Sequence, residues 1–77
     1  MDKLMEILME INPEITPDNR EGLLDHHLLD SMGILALVAE LEEQFGITVP
    51  APEIIPDNFQ TAEAIWKMIC RLREEEK

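Results

Sequence analysis

The chain contains a single serine, Ser31, and an aspartate, Asp30, stands directly before it. A serine hydroxyl can act as a nucleophile or as an attachment point, and a neighbouring carboxylate can orient the group that reacts with it. Ser31 ends a long loop and opens an apolar stretch with helical spacing. There the hydroxyl lies at the positive end of a helix dipole, beside backbone N–H groups with no carbonyl one turn back. That is a favourable place for a covalently attached phosphate. The plainer reading is that Asp30 and Ser31 only begin the helix, since both residue types favour that position.

Other reactive groupings are scarce. Cys70 is the only cysteine. It has no thiol partner within one chain, whether for a metal or for a disulfide, and a reducing cytosol fits. No Gly-rich phosphate loop is present, and Asp57-Asn58 lacks the acidic alternation and central glycine of a calcium loop. Asp25, His26 and Ser31 supply the residue types of a hydrolytic triad, but the chain is too short and too poor in polar core residues to build one. The expectation is a protein with no catalytic residues and no metal site. His26 and His27 are adjacent and do not present two ligands on one helical face. They read either as solvated loop residues or as groups whose protonation relieves repulsion with Asp25 and Asp30. In the second case the stabilisation is present at mildly acid pH and is lost as pH rises.

The charge balance narrows the partners. The 77 residues include 17 Asp plus Glu and 6 Lys plus Arg, a formal net charge of −11. No Lys or Arg falls between Arg20 and Lys67, while Glu21, Asp25, Asp30, Glu40, Glu42, Glu43, Glu53, Asp57 and Glu63 do. Nucleic-acid binding and docking to anionic lipid both need clustered cations and are disfavoured. Disorder is disfavoured because 45% of residues are hydrophobic. A one-sign surface suits basic partners, or it simply keeps the protein soluble. No apolar run approaches the ~18 residues that span a bilayer, and Met1-Asp2-Lys3 is too polar for a secretory signal. A cytoplasmic monomer is expected.

Three helices must position these residues. Leu4, Ile7, Leu8 and Ile11 recur at helical spacing from about Asp2, a suitable cap, with Met1, Met5 and Met9 as a second stripe. Asn12-Pro13 ends that helix. Residues 12–29 form a loop with apolar anchors at Ile15, Leu23, Leu24, Leu28 and Leu29. The second helix runs from Asp30 or Ser31 to Phe45, with an apolar stripe of Leu35, Val38, Leu41 and Phe45 widened by Ile34 and Leu37; Gly46 closes it. A short helical turn lies between Pro52 and Phe59. The last helix starts near Thr61, presents Ala62, Ile65, Trp66, Ile69 and Leu72 to the core, and ends near Arg73. Cys70 is expected to be partly buried beside that stripe. The fold class is all-α, a small four-helix bundle of three main helices and one short helix. One domain covers residues 1–77, with a charged tail from about residue 73.

Leu28-Leu29-Asp30-Ser31-Met32-Gly33 resembles the attachment motif of acyl carrier proteins, where an Asp-Ser pair, usually followed by Leu, opens the second helix. The resemblance continues through Leu41-Glu42-Glu43-Gln44-Phe45-Gly46-Ile47 and Asn58-Phe59-Gln60-Thr61, and so covers nearly the whole chain. It implies a 4′-phosphopantetheine arm moved from coenzyme A to the Ser31 oxygen by a phosphopantetheinyl transferase, with Asp30 helping to orient that step. The arm's thiol would hold acyl cargo as a thioester, as in fatty acid biosynthesis. Implied partners are acyl- or aminoacyl-activating ligases and acyl-transfer or synthase enzymes with basic patches. Those patches would read Glu42 and Glu43 with Asp30, and Glu40 unless it simply faces solvent. Met32 and Ile55 would form an apolar landing patch or a gate for an acyl chain, unless they and Ile54 are ordinary core. Two features depart from the fatty-acid carriers: Met32 stands where Leu is usual, and Gly33 and Ala36 stand at positions often acidic. The same motif is similar to that of D-alanyl carrier proteins of teichoic acid modification. An acyl carrier is the leading expectation. The alternatives are an aminoacyl carrier of the D-alanyl type and an armless acidic interaction module.

Overall fold

The computed structural model describes residues 2–75. Three helices, α1 (Asp2–Ile11), α2 (Ser31–Phe45) and α3 (Ala62–Glu75), surround one core, with two 3-10 turns, Ala51–Glu53 and Pro56–Asn58, between α2 and α3. The expected short fourth helix is therefore two separate turns. Pro50, Pro52 and Pro56 lack the N–H groups a continuous helix would need there. Among the described residues the only β pairing is an isolated bridge between Thr16 and Asn19 in the first loop.

Leu4, Met5, Ile7 and Leu8 are the buried side of α1, while Met9 faces water. Asp2 is the first helical residue rather than the cap, and its carboxylate still complements the helix dipole. Met1 lies outside the described residues. After Ile11 the chain turns on Asn12. Its side-chain oxygen accepts the Glu14 N–H at 2.9 Å, and its Nδ2 donates to the Leu28 carbonyl at 3.1 Å. Lys3 donates to the Gln44 carbonyl at 3.2 Å and stands 5.7 Å over the Phe45 ring. A cation there meets the negative end of α2.

The core face of α2 differs from the expected stripe. Leu37 and Leu41 are fully buried, with Ile34, Val38 and Phe45 packed beside them, whereas Leu35 is 63% exposed. Gly46 takes the left-handed conformation (φ 65°) and its N–H returns to the Glu42 carbonyl. The chain then folds back to bury Ile47 and Val49.

The α3 helix begins as expected, with Thr61 Oγ1 accepting the Ala64 N–H at 2.9 Å. It buries Ala62, Ile65, Met68, Ile69 and Leu72. It also continues past Arg73 to Glu75, so the start of the charged tail is helical; Glu76 and Lys77 lie outside the described residues. Trp66 is half-buried rather than central, its ring edge-on to Phe45 at 6.0 Å. Cys70 is exposed, one step off the buried stripe. Phe59 anchors the segment before α3 at 1% exposure. Burial of a side chain of that size contributes about 3 kcal/mol. No helix among the described residues is long and apolar enough to cross a membrane.

Candidate functional site

The start of α2 is fixed by a local cap. Asp30 has extended backbone (φ −108°, ψ −173°), its carbonyl accepts the Ile34 N–H at 2.8 Å, and its Oδ1 accepts the Gly33 N–H at 2.7 Å. This satisfies one orphan donor of the first turn and leaves the Ser31 and Met32 N–H groups with no carbonyl one turn back. Ser31 is exposed at this end.

The loop that delivers Ser31 is tied at both ends. The N–H groups of Leu28 and Leu29 both donate to the Leu23 carbonyl, at 2.8 and 2.9 Å, and the Leu28 carbonyl is held by Asn12 at the end of α1. On the other side Gln60 acts as a hub. Its carbonyl accepts from Leu23 N–H at 2.8 Å, its Oε1 accepts from Leu24 N–H at 3.3 Å, and its Nε2 donates to Asp25 Oδ1 at 3.1 Å. Ala62 N–H donates to the Arg20 carbonyl, and Arg20 pairs with Glu63 at 2.7 Å. With Ile15, Leu23 and Leu29 buried, the loop is a clamp joining both flanking helices, and Ser31 sits at its outlet. The role of Gln60 had no signal in the sequence, because its partners lie 35 and 36 residues away.

The residues expected to meet partners separate into two groups. Met32, Leu35, Ala36, Ala39 and Glu43 are all exposed, at the spacing of one helical face. Met32 is 78% exposed. This face is apolar for most of its length, and its one acid, Glu43, is about 18 Å from Ser31 at 1.5 Å per residue. Glu40 and Glu42 are half-buried on the flanks, and Glu42 Oε2 accepts the Val49 N–H at 2.9 Å. The spacing of Leu35 with Val38 and Leu41 predicts a core position, yet Leu35 belongs to this outer face. The signal was the i, i+3, i+4, i+7 run of Met32, Leu35, Ala36 and Ala39, which competes with the core run of Ile34, Leu37, Val38 and Leu41. Ile54 and Ile55, between the two 3-10 turns, are exposed at 36% and 45%, so neither is core.

The segment carrying them is held by polar contacts. Arg71 makes a bidentate pair with Glu53, and Asn58 Nδ2 donates to the Glu53 carbonyl at 2.7 Å. The Arg71 guanidinium, with a smaller contribution from Asn58, holds the Glu53 carboxyl below its ordinary value. Among the described residues no group of three or more His, Cys, Asp and Glu could hold a metal ion.

This arrangement suits a phosphodiester on Ser31. The hydroxyl is open to an enzyme, the two nearest N–H groups are uncommitted to the helix, and Gly33 places no side chain beside it. A Cβ there would stand 3.2 Å from Asp30 Oδ1 and 3.7 Å from Ile11 Cγ2. Residues 2–69 match the family described as "Phosphopantetheine attachment site". The chain belongs to that family. Its cofactor is thus covalently attached 4′-phosphopantetheine, and it is a carrier protein. It is similar to the D-alanyl carrier protein of Streptococcus mutans, 40% identical over 72 residues that make up 92% of this chain and 91% of the relative. The Streptococcus sanguinis protein of the same name is 39% identical over the same shares. That of Listeria monocytogenes is 39% identical over 94% of this carrier and 95% of the relative. The carrier part of the leading expectation holds, but its acyl cargo gains no support from these relatives, which carry the name of the alternative.

Proposed function

We propose that this protein carries an aminoacyl group, of the D-alanyl type, as a thioester on a phosphopantetheine arm attached to Ser31. The likeness over more than nine-tenths of the chain to D-alanyl carrier proteins is the observation that supports this cargo most. The position of Ser31 supports the attachment: it is the only serine, exposed, at the first residue of α2. The arm supplies a thiol that holds and releases the cargo, while the protein supplies position and recognition. The Ser31 and Met32 N–H groups face the phosphodiester end, and Asp30 holds the helix start open to the transferase. The protein itself catalyses nothing in this reading.

The partners are a phosphopantetheinyl transferase, an amino-acid-activating ligase and an enzyme that accepts the cargo. We place their contact on the outer face of α2. Met32 and Leu35 supply apolar area near the arm, and Ile55 adds to it from the following segment. Glu43, with Glu40 and Glu42, supplies charge for steering farther along. Met suits a surface that must fit more than one enzyme.

One experiment tests attachment and cargo together. The protein is incubated with coenzyme A and a phosphopantetheinyl transferase, and intact mass is measured. A gain of one phosphopantetheine that disappears in Ser31→Ala is the expected result; no gain with several transferases favours the armless module. The armed protein is then offered to D-alanine-activating and fatty-acyl-activating ligases. Loading by the second and not the first returns the cargo to the acyl class.

A further inference from the structure

The tethered arm needs somewhere to lie between encounters, and the two sides of α2 differ in what they offer. On the side toward α3, Leu37 and Leu41 of α2 and Ile65 and Ile69 of α3 are all fully buried in one core. An arm resting there would have to displace core. On the other side, between the end of α1, the loop outlet and the first turns of α2, runs an open groove of about 450 Å³.

We infer that this groove, lined by Ile11, His27, Leu28, Met32, Gly33 and Ala36, is the resting site of the pantetheine portion of the arm. The inference rests on the attachment of that arm to Ser31. Asp30 and Met32, the residues flanking Ser31, both form part of the groove wall. Ser31 itself does not line the groove, but the mouth lies one residue away on either side of the attachment point, within reach of a long tethered arm. The tether makes the binding intramolecular, so weak contacts suffice.

The lining matches the ligand's chemistry. Pantetheine carries a geminal dimethyl group next to its phosphate end, then a hydroxyl and two amides. Ile11, Leu28, Met32 and Ala36 give the methyls an apolar wall. Gly33 keeps the floor open, since a Cβ there would already stand at 3.6 to 3.7 Å from Leu29 and Ile11. The polar partner is His27. Asn12 also lines the groove, but its amide is committed at both ends, to Glu14 N–H and to the Leu28 carbonyl. The exposed His27 ring carries a donor and an acceptor that can meet an amide or the hydroxyl. Its backbone is left-handed (φ 58°), the only such non-glycine among the described residues. The conformation is held by His27 N–H to the Leu24 carbonyl at 3.2 Å and by Leu28 N–H to the Leu23 carbonyl at 2.8 Å. A non-glycine side chain in that region is unusual and strained.

The test compares the apo protein with the protein carrying the arm, made with coenzyme A and a transferase and verified by intact mass. Expected are nuclear Overhauser contacts from the geminal dimethyl protons to Ile11 and Leu28 methyls, and a shift of the His27 ring resonances on arming. In armed Ala36→Phe, whose added ring fills the groove, those contacts and the His27 shift are lost. Mass gain at Ser31 with shift changes confined to residues 30–33, or with contacts to Leu37 and Ile65 instead, overturns the resting site and leaves the attachment standing. No mass gain overturns the attachment and the resting site with it.

Discussion

Glu42 Oε2 accepts the backbone N–H of Val49 at 2.9 Å, across the turn that Gly46 makes at the end of α2. The bond joins the last turn of the helix to the segment that buries Ile47 and Val49. Glu42 and Glu43 look interchangeable as neighbouring acids, yet only one of them closes the turn.

Their substitutions should therefore differ in kind. Glu42→Ala removes a charge-assisted bond to a part-buried N–H and is expected to cost about 1–2 kcal/mol. Glu43→Ala, on the exposed face, is expected to stay within about 0.5 kcal/mol. Thermal or urea unfolding of both variants checks this. Equal effects would remove the structural distinction.

The cap at the other end of α2 makes a second prediction. Asp30→Ala loses the acceptor for Gly33 N–H at 2.7 Å and is expected to lower stability by about 1 kcal/mol. Asp30→Asn keeps a cap oxygen and should recover most of that loss. If the carboxylate also orients transfer of the arm, Asp30→Asn will still slow phosphopantetheine addition, read by a mass time course. Addition at the wild-type rate would confine Asp30 to capping.

Acid should release the segment between the 3-10 turns. The folded protein holds the Glu53 carboxyl below its ordinary 4.5 because Arg71 is bonded to it. A carboxylate depressed on folding contributes stability that is fully present above its unfolded value. That stability is lost as pH falls below about 4.5 and through the folded value. Glu53→Gln should therefore flatten the acid limb of the melting profile and change little between pH 6 and 8. Amide exchange at Asn58, whose side chain also holds Glu53, should rise with acid in the wild type before the core opens.

The outer face of α2 can be tested apart from folding. Met32→Glu and Leu35→Glu alter side chains that are 78% and 63% exposed, so both proteins should melt within a few degrees of wild type. Loading by the activating ligase should fall by tenfold or more if the enzyme covers this face, since an anion would replace buried apolar area. Glu43→Lys should act differently, slowing association at low salt and losing its effect at high salt. Unchanged loading in Met32→Glu and Leu35→Glu would move the contact elsewhere.

Most of the architecture was readable from local chemistry. The limits of α1 and α2, the cap at Asp30, the left-handed Gly46 and the cap at Thr61 all followed from residue type and spacing. These features depend on groups a few residues apart, so the chain carries them without reference to its fold. The same holds for Ser31, the only serine at the start of a capped helix.

Tertiary packing decided what local pattern left ambiguous. The α2 helix has two apolar faces, and its own sequence does not say which one α1 and α3 will cover. Packing chose Ile34, Leu37, Val38 and Leu41, and turned Met32 and Leu35 outward beside the serine. It also gave Glu42 to Val49 and Gln60 to the loop, and set Cys70 in solvent. The net charge of −11 was plain from the start. That the apolar run of Met32 and Leu35 next to Ser31 is the face left in solvent is decided by the fold, because burial is settled by neighbours distant in sequence.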